Sequence, residues 1–573
     1  MSGSKGATYD DILAHLGGLG RYQKQIVFLA AVACATQSLH LLITIFAMGA
    51  QDFRCAVPGL DNDTFYIQNE AHQLLLNSSI PFDATKGTYS QCYRYKFNQS
   101  SPEVGFTGTL NMTSPNLEMC TKWVYSTDVF STSIISEFDL VCDREIYTSH
   151  ANMMTMAGLM IGSVVGGALS DRFGRKKAFL FLYWVNLVAS FAAVFVPSLV
   201  VFLVLRLVIA SSCIGFFASA CVMSMEMVSS QKRTLAGMII MFGWSGGMFV
   251  LVFGAFLFRD WQTLQIVSVC PLAVIAVSYI WLFPESPRWL LSKGRFSDAD
   301  AILKTMARVN KREIPDKMLM TDLCPPESSV TDSNDESDGS STEFKGQSVL
   351  RLFMSPVLLF RLLVLAFGWL VNTLVYYGLT LNVGSIIEGD IHLNFFIMSV
   401  SELVSYILLV LFLTGPTGRK PVFCTCVLLG GLACLATAVP IVLETNIAWI
   451  NTVLSNMGKF FITCSFALVW IYTPELIPTT VRQSGLGICS MTGRIGGIIS
   501  PYIGSLGSTI GGPFGKTLPQ LVFGFSAILC GILALFLPET ARRKLPETVE
   551  EAEGMSWRSS RRKATDAEKP RPC

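Results

Sequence analysis

Long apolar stretches alternate with short polar ones along this chain. Each apolar stretch is close to the roughly 20 residues that a helix needs to cross a bilayer. Twelve can be marked, at 26–48, 147–169, 178–197, 199–221, 236–258, 263–283, 357–381, 392–414, 422–443, 447–473, 484–510 and 518–538. Two polar interruptions are long: residues 49–146 follow the first stretch, and residues 284–356 follow the sixth. The pattern predicts an all-α membrane protein of twelve transmembrane helices. Segments 1–25 and 539–573 flank it at the two ends.

Composition agrees. The 573 residues are 51% hydrophobic and only 15% charged, with a mean hydropathy of +0.49. A soluble chain carries about 25% charged residues. The net charge of +2 leaves no bulk basic surface for nucleic acid. The first 20 residues are polar and mixed, so no cleavable leader is expected, and the first apolar run serves as a signal anchor.

Loop 49–146 carries four N-x-S/T sequons, at Asn62, Asn77, Asn98 and Asn111. It also holds Cys55, Cys92, Cys120 and Cys142, an even set that reads as two disulfides with three pairings open. Both features point to an extracellular face. The remaining cysteines lie mostly in apolar runs and read as small hydrophobes. Basic clusters at Arg172-Phe173-Gly174-Arg175-Lys176-Lys177, Lys232-Arg233, Lys293-Gly294-Arg295 and Gly418-Arg419-Lys420 fall on the opposite side. Positive loops stay inside, so a multi-pass plasma-membrane protein with cytosolic N- and C-termini is expected.

Segment 284–356 begins with helical periodicity over 296–308. It then runs through a Ser/Asp/Glu-rich stretch at 328–343, a solvated linker with phosphorylation as the alternative. The basic stretch 558–563 in the tail reads either as a soluble tail or as a contact for anionic lipid.

The chain repeats itself. Gly174-Arg175-Lys176 recurs as Gly418-Arg419-Lys420, Glu226 as Glu475, and Pro284-Glu285-Ser286 as Pro538-Glu539-Thr540, in the same order and at nearly constant separation. Parallel repeats of this kind predict two six-helix bundles, 26–283 and 357–538, joined by linker 284–356. A substrate site is expected between them near the midplane.

Asp171-Arg172-Phe173-Gly174-Arg175-Lys176 resembles the loop signature of the major facilitator superfamily. Pro284-Glu285-Ser286-Pro287-Arg288-Trp289-Leu290-Leu291 resembles its sugar and organic-ion branch. Phe138-Asp139-Leu140-Val141-Cys142 and Tyr472-Thr473-Pro474-Glu475-Leu476-Ile477-Pro478-Thr479 narrow the likeness to the organic cation/anion/carnitine transporters. The resemblance implies alternating-access transport of small organic ions.

Ionisable groups at membrane depth cost about 2.5–3.5 kcal/mol on insertion scales and are functional candidates. Arg494 lies in the eleventh span among glycines, suited to a carboxylate or sulfonate, with an internal ion pair as the alternative. By resemblance, cation carriers hold an acid here, and anion and carnitine carriers an arginine. Lys459, placed at the opening of the tenth span, shares a face with Thr463, Phe466 and Trp470. Trp369, Asn372, Thr373 and Tyr376 share a face of the seventh, with Tyr377 adjacent. The resemblance marks Tyr376, Tyr377 and Phe466 as substrate aromatics. Phe242 and Trp244 occupy a similar setting in the fifth span. Glu402 in the eighth binds a cationic group or ion, or pairs with Lys459 or Arg494. Gln37, His40 and Thr44 line one face of the first span. By resemblance, sodium-linked carnitine carriers have asparagine at Gln37 and anion exchangers have lysine at Tyr406.

Gly158, Gly162 and Gly166 repeat every fourth residue, a surface for close approach and sliding or for static packing. Asp171, Arg172, Arg175, Arg206 and Glu226 are expected at cytosolic helix ends, bridging the halves when the outside is open. Arg419, Glu475 and Arg482 are their second-half counterparts. These are gate residues by resemblance.

No GxxxxGK[ST] loop, metal-ligand cluster or catalytic triad is found. The expected protein is thus no enzyme and needs no cofactor. Its partners are a small organic ion, a counter-ion or sodium, and the bilayer. An anion or zwitterion such as carnitine is the leading cargo and an organic cation the runner-up. A receptor that has lost transport is the alternative class.

Overall fold

The computed structural model describes residues 9–83, 87–96, 117–312, 353–386, 389–415, 417–443, 448–478, 481–510, 512–541, 546 and 549–554. Asn98, Asn111, stretch 328–343 and basic stretch 558–563 lie outside the described residues.

Among the described residues, twelve long helices carry the fold. They are α1 (Arg21–Leu42), α2 (Ile146–Phe173), α3 (Arg175–Ala192), α4 (Leu199–Met227), α5 (Arg233–Leu257), α6 (Trp261–Leu282), α7 (Pro356–Leu381), α8 (Ile391–Thr414), α9 (Arg419–Ala436), α10 (Ala448–Leu476), α11 (Arg482–Ile510) and α12 (Gly512–Ala534). Among the described residues, ten segments are long and apolar enough to cross a membrane. The remaining two helices are α3, which opens on Arg175, Lys176 and Lys177, and α11, which is rich in Gly and Ser. The observed bounds shift by a few residues: α1, α3, α9 and α12 begin three to six residues earlier than the apolar stretches, α2 and α4 end four and six residues later, and α1, α3 and α9 end five to seven residues earlier.

Packing repeats with the sequence. Helix α1 packs on α4 and α5, α2 on α4, α3 on α4 and α6; α7 packs on α10 and α11, α8 on α10, α9 on α10 and α12. Adding six to each number of the first set gives the second. The halves meet through α2 with α11 and α5 with α8, a pairing that the same operation maps onto itself.

The glycine stripe works inside one half. A Cβ at Gly158, Gly162 or Gly166 would come within 2.4 Å of Leu207 O, 2.1 Å of Ser211 O and 2.5 Å of Gly215 Cα, all on α4. The stripe therefore lets α2 and α4 touch backbone to backbone; it is not a sliding surface between halves.

Segment 49–146 is more than a loop. Within it, β1 (Phe53–Cys55), β2 (Phe82–Asp83), β3 (Thr88–Tyr89), β4 (Tyr93–Tyr95), β5 (Leu117–Met119) and β6 (Trp123–Tyr125) form antiparallel pairs β1–β6, β2–β3 and β4–β5. The cysteine pairing left open by the sequence is Cys55–Cys120 and Cys92–Cys142. Asp63 ties the lobe internally: it bonds Arg54, the Val57 amide at 2.8 Å and His72 Nε2 at 3.0 Å. Burial raises the Asp63 carboxyl, but the bonds from Arg54, Val57 and His72 outweigh it and hold the group below its usual range. Asn62 and Asn77 are exposed on this lobe.

The lobe sits over one end of the bundle, here the lobe face. It is fastened to the first half: Arg259 Nη1 donates to Asp128 O (3.1 Å), Trp261 Nε1 to Glu137 Oε2 (2.8 Å), and Thr132 to Asp260. The opposite end, where both Gly-Arg-Lys motifs lie, is the linker face.

Candidate functional site

Glu402 is the hub of a fully buried polar cluster at the middle of the second half. Tyr376 on α7 and Tyr406, one turn along α8, both donate to Glu402 Oε1, at 2.7 Å and 3.0 Å. Lys459 Nζ faces Oε2 at 3.5 Å. It also donates to Thr380 Oγ1 at 2.6 Å and lies 3.0 Å from the centroid of the Tyr376 ring. Lys459 is the twelfth residue of α10, in mid-helix rather than at its opening. From the first half, Trp244 Nε1 reaches across to donate to the Tyr376 hydroxyl at 3.0 Å.

An aromatic wall adjoins the cluster. Phe466 lies 5.3 Å from Tyr376 and 6.4 Å from Trp369, and Trp470 lies 4.4 Å from Trp369. Tyr377 packs edge-on against Tyr376 at 5.1 Å. The face-sharing residues of α7 and α10 thus meet each other.

Arg494 lies in the middle of α11, mostly buried and close to Tyr377. Among the described residues no carboxylate is within 4.0 Å of its guanidinium. Its neighbours Gly493 and Gly497 stand against Trp369 and Thr373 of α7. The carboxylate and ammonium of the cluster neutralise each other, and Arg494 remains as a positive charge.

Other sequence candidates lie apart. Phe242 is half-buried on α5 and makes no ring contact with this cluster among the described residues. Gln37 is buried on α1, its Oε1 without a hydrogen-bond partner among the described residues. Arg206 is a correction. It sits eight residues into α4 from the lobe face, donating to Leu41 O at 3.2 Å. At about 1.5 Å per residue it is roughly 30 Å from Glu226, so it cannot belong to the linker-face charges. Sequence reasoning missed Thr380 and gave Tyr406 no contact role, although they follow Tyr376 and Glu402 by one helical turn.

At the linker face the motif charges pair within each half. Arg175 bonds Asp171 at 3.1 Å and Glu226 at 3.3 Å; Arg419 lies 3.7 Å from Glu475. Arg482 donates to Ile477 O at 3.3 Å, and Arg172 stacks on Phe173. Two glutamates organise these turns. Glu285 Oε1 accepts from the amides of Arg175 (2.8 Å) and Lys176 (3.1 Å), and Glu539 accepts from those of Arg419 (2.8 Å) and Lys420 (3.1 Å). Each carboxylate satisfies open amides at a helix start, where the dipole favours negative charge. Glycine precedes each helix because a Cβ on Gly174 or Gly418 would lie 2.4 Å or 2.1 Å from that carboxylate.

Contacts joining the halves cluster at the lobe face. His150 meets Tyr502 at 2.8 Å, Phe46 packs on His392 and Phe395, and Phe249 on Phe396.

Residues 90–552 match the sugar (and other) transporter family. The organic cation transporter protein of Drosophila melanogaster is 32% identical over 95% of this chain and 94% of its own. Solute carrier family 22 member 7 of Rattus norvegicus is 31% identical over 96% of this chain and 98% of its own. The chain belongs to solute carrier family 22. Among solved structures, the partially occluded inward-open xylose transporter XylE from E. coli superposes with a TM-score of 0.56 at 14% identity, covering 91% of this chain and all of that one. That likeness supports the major facilitator fold alone. Membership in solute carrier family 22 makes this a membrane transporter of organic ions and no enzyme.

Proposed function

We propose that the chain carries organic anions, or zwitterions such as carnitine, by alternating access across the plasma membrane. One observation carries the reading. Glu402 and Lys459 face each other as a neutral buried pair, which leaves Arg494 as a mid-membrane cation with no carboxylate partner among the described residues. A substrate carboxylate or sulfonate supplies the missing charge through paired N–H···O bonds. Tyr377, Phe466 and Tyr376 offer the apolar and hydroxyl surface for the rest of the molecule.

The contacts gathered at the lobe face favour a state closed on that side. With the sequons and cysteines on the lobe and the cations opposite, the lobe face is extracellular and both termini are cytosolic. Arg175, Glu226, Arg419 and Glu475 are then the inner gate, paired within halves in this state and free to exchange partners when the halves rock.

Uptake of a radiolabelled organic anion, carnitine and a quaternary ammonium into cells, with and without sodium, tests the assignment. Arg494→Ala is expected to lower anion and carnitine uptake at least tenfold with surface expression unchanged. Undiminished uptake of both would sink it. The names of relatives favour an organic cation as the second reading, with Glu402 and the aromatics as ligands; loss of ammonium uptake in Glu402→Gln, with anion and carnitine uptake retained at equal surface expression, would select it.

A further inference from the structure

A cavity of about 390 Å³ opens at the linker face between the start of α1 and the end of helix Phe296–Asn310. Four cations line it: Arg21 and Lys24 of α1, and Lys311 and Arg312 just past the linker helix. Other cations nearby are paired: Arg233 with Asp10 at 2.5 Å, Arg295 with Asp298 at 2.6 Å, and Lys304 with Asp300 at 2.6 Å. Among the described residues none of the four cavity cations has a carboxylate within ion-pair distance. Positive charge is concentrated here and left uncompensated.

The backbone presenting these cations is fixed. Asn310 Nδ2 donates to Leu16 O and to Gln23 Oε1, both at 2.8 Å, and its Oδ1 accepts from the Tyr22 amide at 3.0 Å. Lys311 turns into the left-handed region (φ 54°, ψ 48°), and the Arg312 amide closes back on Ala307 O at 3.0 Å. One asparagine thus clamps the end of the linker helix to the first turn of α1.

The position of the cavity indicates the ligand. Arg21, Lys24 and Phe28 are spaced i, i+3 and i+7 on one helix face. Phe28, an apolar ring one turn further along this face of a membrane-spanning helix, is 65% exposed. With this end of a membrane-spanning helix at the bilayer surface, the two cations below it would stand where basic side chains meet anionic lipid.

We propose that this cavity binds a phosphate group, and that the phosphate belongs to an anionic lipid headgroup in the leaflet at the linker face. A phosphate monoester carries about −1.5 to −2 charges at neutral pH and three strong acceptor oxygens, which suits a lining of four cationic donors. The inference rests on the chain spanning a membrane and is independent of what Arg494 binds. Bound there, the headgroup would fasten the linker helix to α1.

The test uses the full chain in nanodiscs of phosphatidylcholine, with or without a few per cent phosphatidylinositol 4,5-bisphosphate. The thermal unfolding midpoint should rise by several degrees with the phosphoinositide. The rise should vanish in K311Q/R312Q and persist in R295Q/K304Q, which removes as much charge outside the cavity. Circular dichroism and monodispersity verify that both variants fold. Inositol 1,4,5-trisphosphate added to phosphatidylcholine discs is the second arm. A rise there, with none from the lipid, would overturn the lipid assignment and leave a soluble phosphate as the ligand. No rise in either arm, or equal rises in wild type and K311Q/R312Q, would overturn the site itself.

Discussion

Lys459 and Glu402 stand 3.5 Å apart with no solvent exposure on either side chain, and the ring of Tyr376 lies directly beside the ammonium. Breaking a buried pair by removing one partner strands the other charge and costs about 3–5 kcal/mol, whereas removing both costs far less. Glu402→Gln and Lys459→Met should each lower the unfolding midpoint of purified protein strongly, and the double variant should recover most of the loss. Additive losses in the double variant would show that the two charges do not depend on each other.

Gly174 and Gly418 do the same job with different backbones. Gly174 has φ 103°, a region essentially restricted to glycine, while Gly418 has an ordinary φ of −76°. Gly174→Ala adds about 1–3 kcal/mol of backbone strain to the clash with Glu285. Gly418→Ala meets only the carboxylate of Glu539. Thermal unfolding should therefore rank G174A below G418A. Shortening the cap in G418A/E539D should restore part of the stability, and no gain in that pair would refute the steric account.

Asp63 predicts the acid behaviour of the lobe. Its folded pKa lies below the unfolded value of about 3.9. Its contribution is thus present above that unfolded value and lost as pH falls through the folded one. Resistance of the lobe to limited proteolysis should be flat from neutral pH to about 5 and fall off below about 4. Asp63→Asn should be cleaved faster at neutral pH and show a flatter profile. A profile identical to wild type would remove Asp63 as the cause.

The bond from Trp244 to Tyr376 crosses between the halves in this closed-lobe state. A typical hydrogen bond is worth about 1 kcal/mol net, or roughly a fivefold change in an equilibrium. Trp244→Phe should shift the balance away from the closed lobe face by that factor. Spin-label distances between the lobe-face ends of α2 and α11 would read it as a larger long-distance population. An unchanged distribution would mean that the bond forms equally in both states.

How much of this was legible beforehand depends on which forces act locally. Helix number and order follow from the length of chain needed to cross lipid, and the repeat markers gave the two halves. Tyr406 and Thr380 were within reach of helical spacing alone. The Glu402–Lys459 pair was only one of several options, because nothing local fixes how α8 approaches α10. Arg206 was misplaced for a simpler reason. Successive spans run in opposite directions, so a residue early in α4 starts from the lobe side. The disulfide pairs required the strand pairing β1–β6 to bring Cys55 and Cys120 together.

The lobe is hydrogen-bonded to the first half through Arg259, Asp260 and Trp261, and touches the second through the Phe130 ring against His392 at 5.9 Å. It is therefore a rider on one of two moving bodies, resting lightly on the other. An antibody or sugar chain gripping the lobe would leave the first half free to turn. One that also gripped the second half would act as a splint, and would stop the carrier without ever entering its substrate path.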